Sequence, residues 1–176
     1  MRTLVLGGIR SGKSRWAEEA IAESAGGIPV RYLATGPSPT DETWSARVAA
    51  HRLRRPTDWQ TVESAEVAAQ LRDAAGVPTL VDDVGNWLTA AMDRRDAWNG
   101  GSVAEDVTDL IGAVEVFGSP LVLVSPEVGL TVVSATEAGR RFTDALGSLN
   151  QRLASVCDRV VLVVAGQALT IKSQGS

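Results

Sequence analysis

The chain has 176 residues, a formal net charge of −4, one histidine and one cysteine. That length suits a single domain with a sizeable core, expected over residues 1–172, with 173–176 as a frayed tail. The acidic balance argues against a general nucleic-acid binder, no apolar run approaches bilayer length, and a lone Cys157 excludes an intrachain disulfide or a cysteine-built zinc site.

Apolar runs alternate with helix-length segments. Leu4–Leu6 reads as the first strand and Ser14–Ala25 as a helix ended by Gly26 and Gly27. Val30–Ala34 is a second strand, followed by the turn-rich stretch Thr35–Pro39. Asp41 is placed to cap a helix reaching about Leu53, which Pro56 closes. Trp59–Val62 reads as a short strand and Ser64–Ala75 as a helix with Ser64 as its cap. Thr79–Val81 is a buried strand leading into Asp82 and Asp83. Asn86–Arg95 is helical, Trp98–Ser102 a loop and Val103–Phe117 another helix. Leu121–Val124 is a strand, Thr136–Val156 a long helix, Val160–Ala165 an apolar strand and Ala168–Ile171 a final edge strand. Continuous apolar strands between helices indicate an α/β chain whose parallel sheet is covered on both faces. Ligands bind at the carboxyl ends of such strands. The loop after the first strand, Thr35–Gly36, Asp82 and Ser125–Gly129 therefore fall on one rim. Nothing at the N-terminus resembles a signal peptide, so the expected location is the cytoplasm.

Gly7-Gly8-Ile9-Arg10-Ser11-Gly12-Lys13-Ser14 matches G-x-x-x-x-G-K-[ST] directly after the first strand. Backbone N–H groups of such a loop, with the helix N-terminus behind it, converge on phosphate oxygens. Lys13 supplies a point charge to the β- and γ-phosphates, and the Ser14 hydroxyl is suited to Mg²⁺. It is one of only two lysines, the other being Lys172. Asp82, after the apolar run Leu80-Val81, is the acidic partner expected to hold Mg²⁺ directly or through water, and Asp83 is placed to share that role. His51 lies among Arg47, Arg52, Arg54 and Arg55. That cluster either solvates an exposed face or gathers polyphosphate, and cationic neighbours favour the neutral, nucleophilic imidazole. Glu127 and Gly129 read equally well as a turn or as a ligand contact. Arg140, Arg141 and Arg152 read as solvated helix charges. Trp16 and Trp87 fall on helices and read as core; Trp44, Trp59 and Trp98 lie in less regular stretches open to a ring system or a partner.

The chain resembles the bifunctional adenosylcobinamide kinase/adenosylcobinamide-phosphate guanylyltransferases of cobalamin biosynthesis, nearly end to end. The residues that carry the resemblance are the P-loop with Arg15, Tyr32-Leu33-Ala34-Thr35, and Ala46-Arg47 leading to His51 and Arg55-Pro56. Trp59, Glu63, Asp82, Glu127-Val128-Gly129, Arg141-Phe142, Asn150-Gln151-Arg152-Leu153-Ala154 and Leu162–Gly166 continue it. The resemblance implies a RecA-like P-loop NTPase fold of three layers with a mostly parallel central sheet. It implies phosphorylation of adenosylcobinamide by ATP or GTP. GMP transfer from GTP to adenosylcobinamide phosphate follows, giving adenosylcobinamide-GDP and pyrophosphate. His51 matches the histidine that carries GMP covalently, with Lys13 beside it as a catalytic residue. Gly7–Ser14, Ala34, Thr35, Gly36, Arg52, Leu53, Arg54, Arg55, Glu63 and Asp82 match nucleotide contacts, and Ser14 with Asp82 the Mg²⁺ site. Beyond that Mg²⁺ no tightly bound prosthetic group is expected, and a homotrimer is. The chain departs from many relatives at Ala50, where they carry a second histidine, at Pro126, and over Leu130–Ser134. Two other readings fit the P-loop without the resemblance. One is a kinase of another small metabolite with His51 incidental, and the other a non-catalytic GTP-binding switch.

Overall fold

A computed structural model of the chain describes residues 1–36, 56–130 and 134–173. The expected helix from Asp41 to about Leu53, His51 and Trp44 lie outside those residues, as do residues 174–176 of the expected tail. Among the described residues, seven strands form one sheet: β1 (Arg2–Gly7), β2 (Arg31–Ala34), β3 (Gln60–Glu63), β4 (Thr79–Asp82), β5 (Leu121–Pro126), β6 (Arg159–Val164) and β7 (Gln167–Ser173). Their order is β3-β2-β4-β5-β1-β6-β7. Every pairing is parallel except β6 with β7, which is antiparallel. The described helices are α1 (Lys13–Ala25), α2 (Val67–Asp73), α3 (Val84–Arg94), α4 (Ala104–Glu115) and α5 (Glu137–Val156), with a short 3₁₀ turn at Ala97–Asn99.

Strand alternation sorts the apolar residues into two cores. Leu4, Leu33, Val81, Leu121 and Leu123 face α2, α3, α4 and α5. Val5, Tyr32, Leu80, Val122, Val124 and Val161 face α1, which buries Ala17 and Ile21 against them. Both faces of the central strands are dry, which is why those strands read as unbroken apolar runs. The mostly parallel, three-layered α/β architecture expected from the sequence is the one observed.

Capping residues explain where the helices depart from their expected bounds. The Asp83 carboxylate accepts the Asn86 N–H at 2.8 Å, so α3 starts at Val84 rather than Asn86. Thr136 caps α5 in the same way, accepting from Gly139 at 3.1 Å. Ser64 is not a cap. Its hydroxyl accepts the Glu66 N–H at 3.1 Å in a local turn, and α2 begins only at Val67. Trp98, expected in a loop, lies in the 3₁₀ turn and stacks on Phe142 at 6.3 Å. Between β6 and β7, Ala165 and Gly166 both have positive φ, 50° and 76°, as a two-residue hairpin turn requires. Ala165, expected in the strand, therefore belongs to that turn. Lys172 reaches from β7 to the Ala154, Ser155 and Cys157 carbonyls at 2.8, 3.2 and 2.7 Å, closing the C-terminal end of α5. Cys157 is buried there, and burial pushes its thiol up to about 12.

Candidate functional site: a phosphate loop at the strand ends

The parallel strands end together. Gly7 pairs with Pro126, Ala34 with both Glu63 and Asp82, and Asp82 with Val124. This brings Gly7–Ser14, Thr35–Gly36, Asp82 and Ser125–Gly129 to one rim, where the sequence expected them, and adds Ala34 and Glu63 to it.

The loop from Gly7 to Gly12 is shaped by its backbone. Gly12 sits at φ 94° and ψ 5° as the residue that opens α1, and Arg10 also has positive φ, 57°. A Cβ on Gly7 would stand 2.8 Å from the Val163 carbonyl oxygen. Ser11 ties the loop down. Its N–H bonds Gly8 O at 3.3 Å, its hydroxyl accepts the Lys13 N–H at 3.3 Å, and its carbonyl accepts the Gly166 N–H at 2.8 Å. The β6–β7 hairpin thus braces the loop from behind, while Glu127 N–H bonds Gly7 O at 3.1 Å beside it. Gly8, Ile9 and Arg10 are exposed on the outer side. The Lys13 ammonium folds back onto Gly8 O at 3.3 Å, within the span of the loop.

Asp82 faces the same way as Tyr32 and Leu80, toward α1, and α1 opens with Lys13 and Ser14. The Ser14 hydroxyl consequently meets Asp82 Oδ1 at 3.5 Å. The other carboxylate oxygen, Oδ2, accepts a short hydrogen bond from the Tyr32 hydroxyl. Among the described residues no group of three or more His, Cys, Asp or Glu is arranged to hold a metal. A Mg²⁺ site beside phosphates needs fewer, because water and phosphate oxygens fill most positions. Asp83, adjacent in sequence, is turned to its capping role instead of sharing that of Asp82. Burial raises its carboxyl to about 6, helped by the Asp82 charge and opposed by the Asn86 N–H and Lys13. The Asp82–Asp83 peptide bond is cis.

Thr35 is buried, and its hydroxyl donates to Asp83 O at 2.5 Å while its N–H bonds Asp82 O at 3.2 Å. Its side chain therefore fastens β2 to the turn after β4, with Ala34 and Gly36 on either side at the rim. Farther along the rim, Asn150 of α5 accepts from the buried Ser125 hydroxyl at 2.6 Å and donates to Pro126 O at 3.0 Å. A cavity of about 500 Å³ lies next to it, between Glu127–Gly129 and the face of α5 that carries Arg140 and Asp144. Glu127 itself accepts the Gly129 N–H at 2.6 Å. Arg140 is held by Ser134 O and Ala135 O, Arg141 by Glu137, and Arg152 by Thr108. Trp87 is core, as expected, whereas Trp16 lies half-buried under the Arg159 guanidinium at 5.2 Å. Of the predicted site residues, His51, Arg52, Leu53, Arg54 and Arg55 lie outside the described residues. Sequence reading passed over Tyr32 and Asn150 as site residues. Both stand in segments that carry the family resemblance, but their partners are set by strand register and helix packing, which the sequence does not show.

Comparison with known proteins decides among the uses such a loop can serve. The family described as cobinamide kinase / cobinamide phosphate guanyltransferase matches residues 3–171. The chain belongs to that family. It is therefore an enzyme, a transferase. It is 40% identical over 177 residues to the bifunctional adenosylcobalamin biosynthesis protein CobP of Pseudomonas aeruginosa, covering 99% of each chain. It is 35% identical to the corresponding CobU proteins of Salmonella typhimurium and Escherichia coli, covering 98% of this chain and all of theirs. Among solved structures, a prototypical ATPase of a bacterial type III secretion system superposes with a TM-score of 0.58 over 98% of this chain and 57% of that one. At 14% identity that likeness shows the fold alone. Among the described residues no helix is long and apolar enough to cross a membrane.

Proposed function

We propose that this chain phosphorylates adenosylcobinamide with ATP or GTP and then joins GMP to the phosphate it has made, through His51. The observation that carries the reading is the convergence of Lys13, Ser14 and Asp82 at the phosphate loop, in a chain that matches the family along nearly its whole length.

In the first reaction the acceptor hydroxyl oxygen attacks the γ-phosphorus. The bond from that phosphorus to the bridging oxygen breaks, the nucleoside diphosphate leaves, and the hydroxyl proton is released. The loop N–H groups and Lys13 offset the charge on the phosphate oxygens. Ser14 and Asp82 present one hydroxyl and one carboxylate oxygen, a donor pair that fits Mg²⁺ completed by water and phosphate. The ion, when bound, neutralises phosphate charge. In the second reaction a His51 ring nitrogen attacks the α-phosphorus of GTP and pyrophosphate leaves. A phosphate oxygen of adenosylcobinamide phosphate then attacks the same phosphorus, the P–N bond breaks, and imidazole is restored with adenosylcobinamide-GDP as product. Arg52, Arg54 and Arg55, next to His51, supply guanidinium groups suited to the polyphosphate. Leu53, Ala34, Thr35, Gly36 and Glu63 complete the proposed nucleotide contacts. The working form is a homotrimer in the cytoplasm.

Incubating the protein with GTP, Mg²⁺ and adenosylcobinamide, followed by mass spectrometry of the corrinoid, tests both reactions. Wild type yields the phosphate and then the GDP derivative, His51→Ala yields the phosphate alone, and Lys13→Ala yields neither. A wild-type corrinoid that is phosphorylated but never nucleotidylated would overturn the second activity, and an unmodified one would overturn both.

A further inference from the structure

We infer that Tyr32 is a positioning residue for the phosphate site: its hydroxyl holds the Asp82 carboxylate so that Oδ1 stays turned toward Ser14. The inference rests on the reading of Ser14 and Asp82 as the pair that holds the nucleotide's divalent cation.

The placement follows from register. Tyr32 of β2 stands opposite Leu80 of β4, and Asp82 is two residues farther on, hence on the same face of the sheet. Tyr32 is 3% exposed, walled by the apolar core under α1. Its ring cannot swing to solvent, so its hydroxyl reaches the one carboxylate on that face of β4. A buried phenol needs a polar partner, and the Tyr32 hydroxyl donates to Asp82 Oδ2. The consequence falls on Asp82. An aspartate at the end of a strand turns freely about its terminal torsion, which presents either oxygen to a ligand. With Oδ2 fixed by Tyr32, Oδ1 is left facing Ser14 at 3.5 Å. Thr35 acts on the backbone of the same turn, fastening Asp82 O and Asp83 O. The side chain of Asp82 is thus held from β2, the strand next door, and its main chain from Thr35 just after that strand. Outer partners of this kind orient a metal-holding carboxylate without touching the metal.

The test uses Tyr32→Phe, which keeps the ring and its packing and deletes only the hydroxyl. Mn²⁺ serves as the probe ion, with free Mn²⁺ read by electron paramagnetic resonance over protein carrying stoichiometric α,β-methylene GTP, which His51 cannot split. Tyr32→Phe is expected to weaken Mn²⁺ binding about tenfold, the order expected for a hydrogen bond to a charged group. GTP affinity measured in EDTA is expected to stay at the wild-type value. Kinase turnover should fall at low Mg²⁺ and recover at high Mg²⁺. Asp82→Asn is the reference variant. Wild-type Mn²⁺ affinity in Tyr32→Phe, with weakened binding in Asp82→Asn, overturns the positioning role alone. Wild-type affinity in both variants overturns the placement of the cation at Asp82. An equal loss of GTP affinity in EDTA would make Tyr32 a packing residue and overturn the inference too.

Discussion

Gly12→Ala asks how much of the phosphate loop's shape is stored in its backbone. Gly12 has φ 94° and ψ 5° at the entrance to α1, a region that costs a residue with a side chain about 1–3 kcal/mol. An added Cβ would also stand 3.2 Å from Gly166 Cα, tighter than ordinary contact. The Ala165–Gly166 turn cannot simply withdraw, because the Gly166 N–H is bonded to Ser11 O at 2.8 Å. Strain and a weakened brace together are expected to cost about 2–4 kcal/mol, lowering Tm by roughly 5–15 °C in a chain of this size. Gly8→Ala is the control, since a Cβ there meets nothing within 4 Å, and its stability should stay within about 0.5 kcal/mol of wild type. Gly7→Ala should be worse than the control, because its Cβ would press on the Val163 carbonyl, which is main chain. Urea unfolding gives the stabilities, and calorimetric titration with GTP gives the affinities. Gly12→Ala should also bind GTP at least tenfold more weakly. Equal unfolding midpoints for Gly12→Ala and Gly8→Ala would refute the reasoning, since geometry separates the two positions completely.

Three further outcomes follow from contacts around the site. The Asp83 carboxyl is raised from 3.8 to about 6, so the folded state binds its proton more tightly than the unfolded chain. Its contribution is fully present below pH 4 and is lost as pH rises to about 6, at about 3 kcal/mol in all. Asp83→Asn keeps an oxygen for the Asn86 N–H and loses the charge. Its stability relative to wild type should therefore rise between pH 4 and pH 7 in urea unfolding, and a difference independent of pH would contradict this. Lys172→Met strips two α5 carbonyls and that of its C-cap Cys157 of their cation and should cost about 1–2 kcal/mol by the same method, with GTP affinity unchanged. Asn150→Leu leaves the Ser125 hydroxyl and Pro126 O unpartnered under α5, for a loss of about 2–3 kcal/mol; a variant as stable as wild type would show that water replaces the amide.

What could be read in the sequence divides along the range of the interaction. The phosphate loop is written in eight consecutive residues between a strand and a helix, so its place and its bracing glycines follow from local chemistry alone. The apolar strand Leu121–Val124 declared itself because both faces are buried, and Val160–Ala165 because its run is unbroken, although Val164 at its end is exposed. Asp82 was legible as an acid after a buried strand. The partner of Asp82 was not, because Tyr32 is fifty residues away in sequence and meets it only through the register of β2 against β4. The same holds for Asn150 with Ser125, and for Gly166 behind Ser11. Ser64 misled because a serine ahead of a helical run forms a local turn as readily as a cap. At Asp82-Asp83 the sequence favoured Asp82 and let Asp83 share its role; burial and a helix N-terminus to cap turn Asp83 to a different task.

The central claim is that one phosphate loop serves two reactions, the second passing through His51. Incubation with [α-³²P]GTP and Mg²⁺, without corrinoid, tests it most directly. The account predicts an acid-labile label on the wild-type protein that maps by mass spectrometry to the peptide carrying His51 and is absent from His51→Ala. A wild-type protein that takes up no label, or a His51→Ala variant that labels equally well, would contradict it.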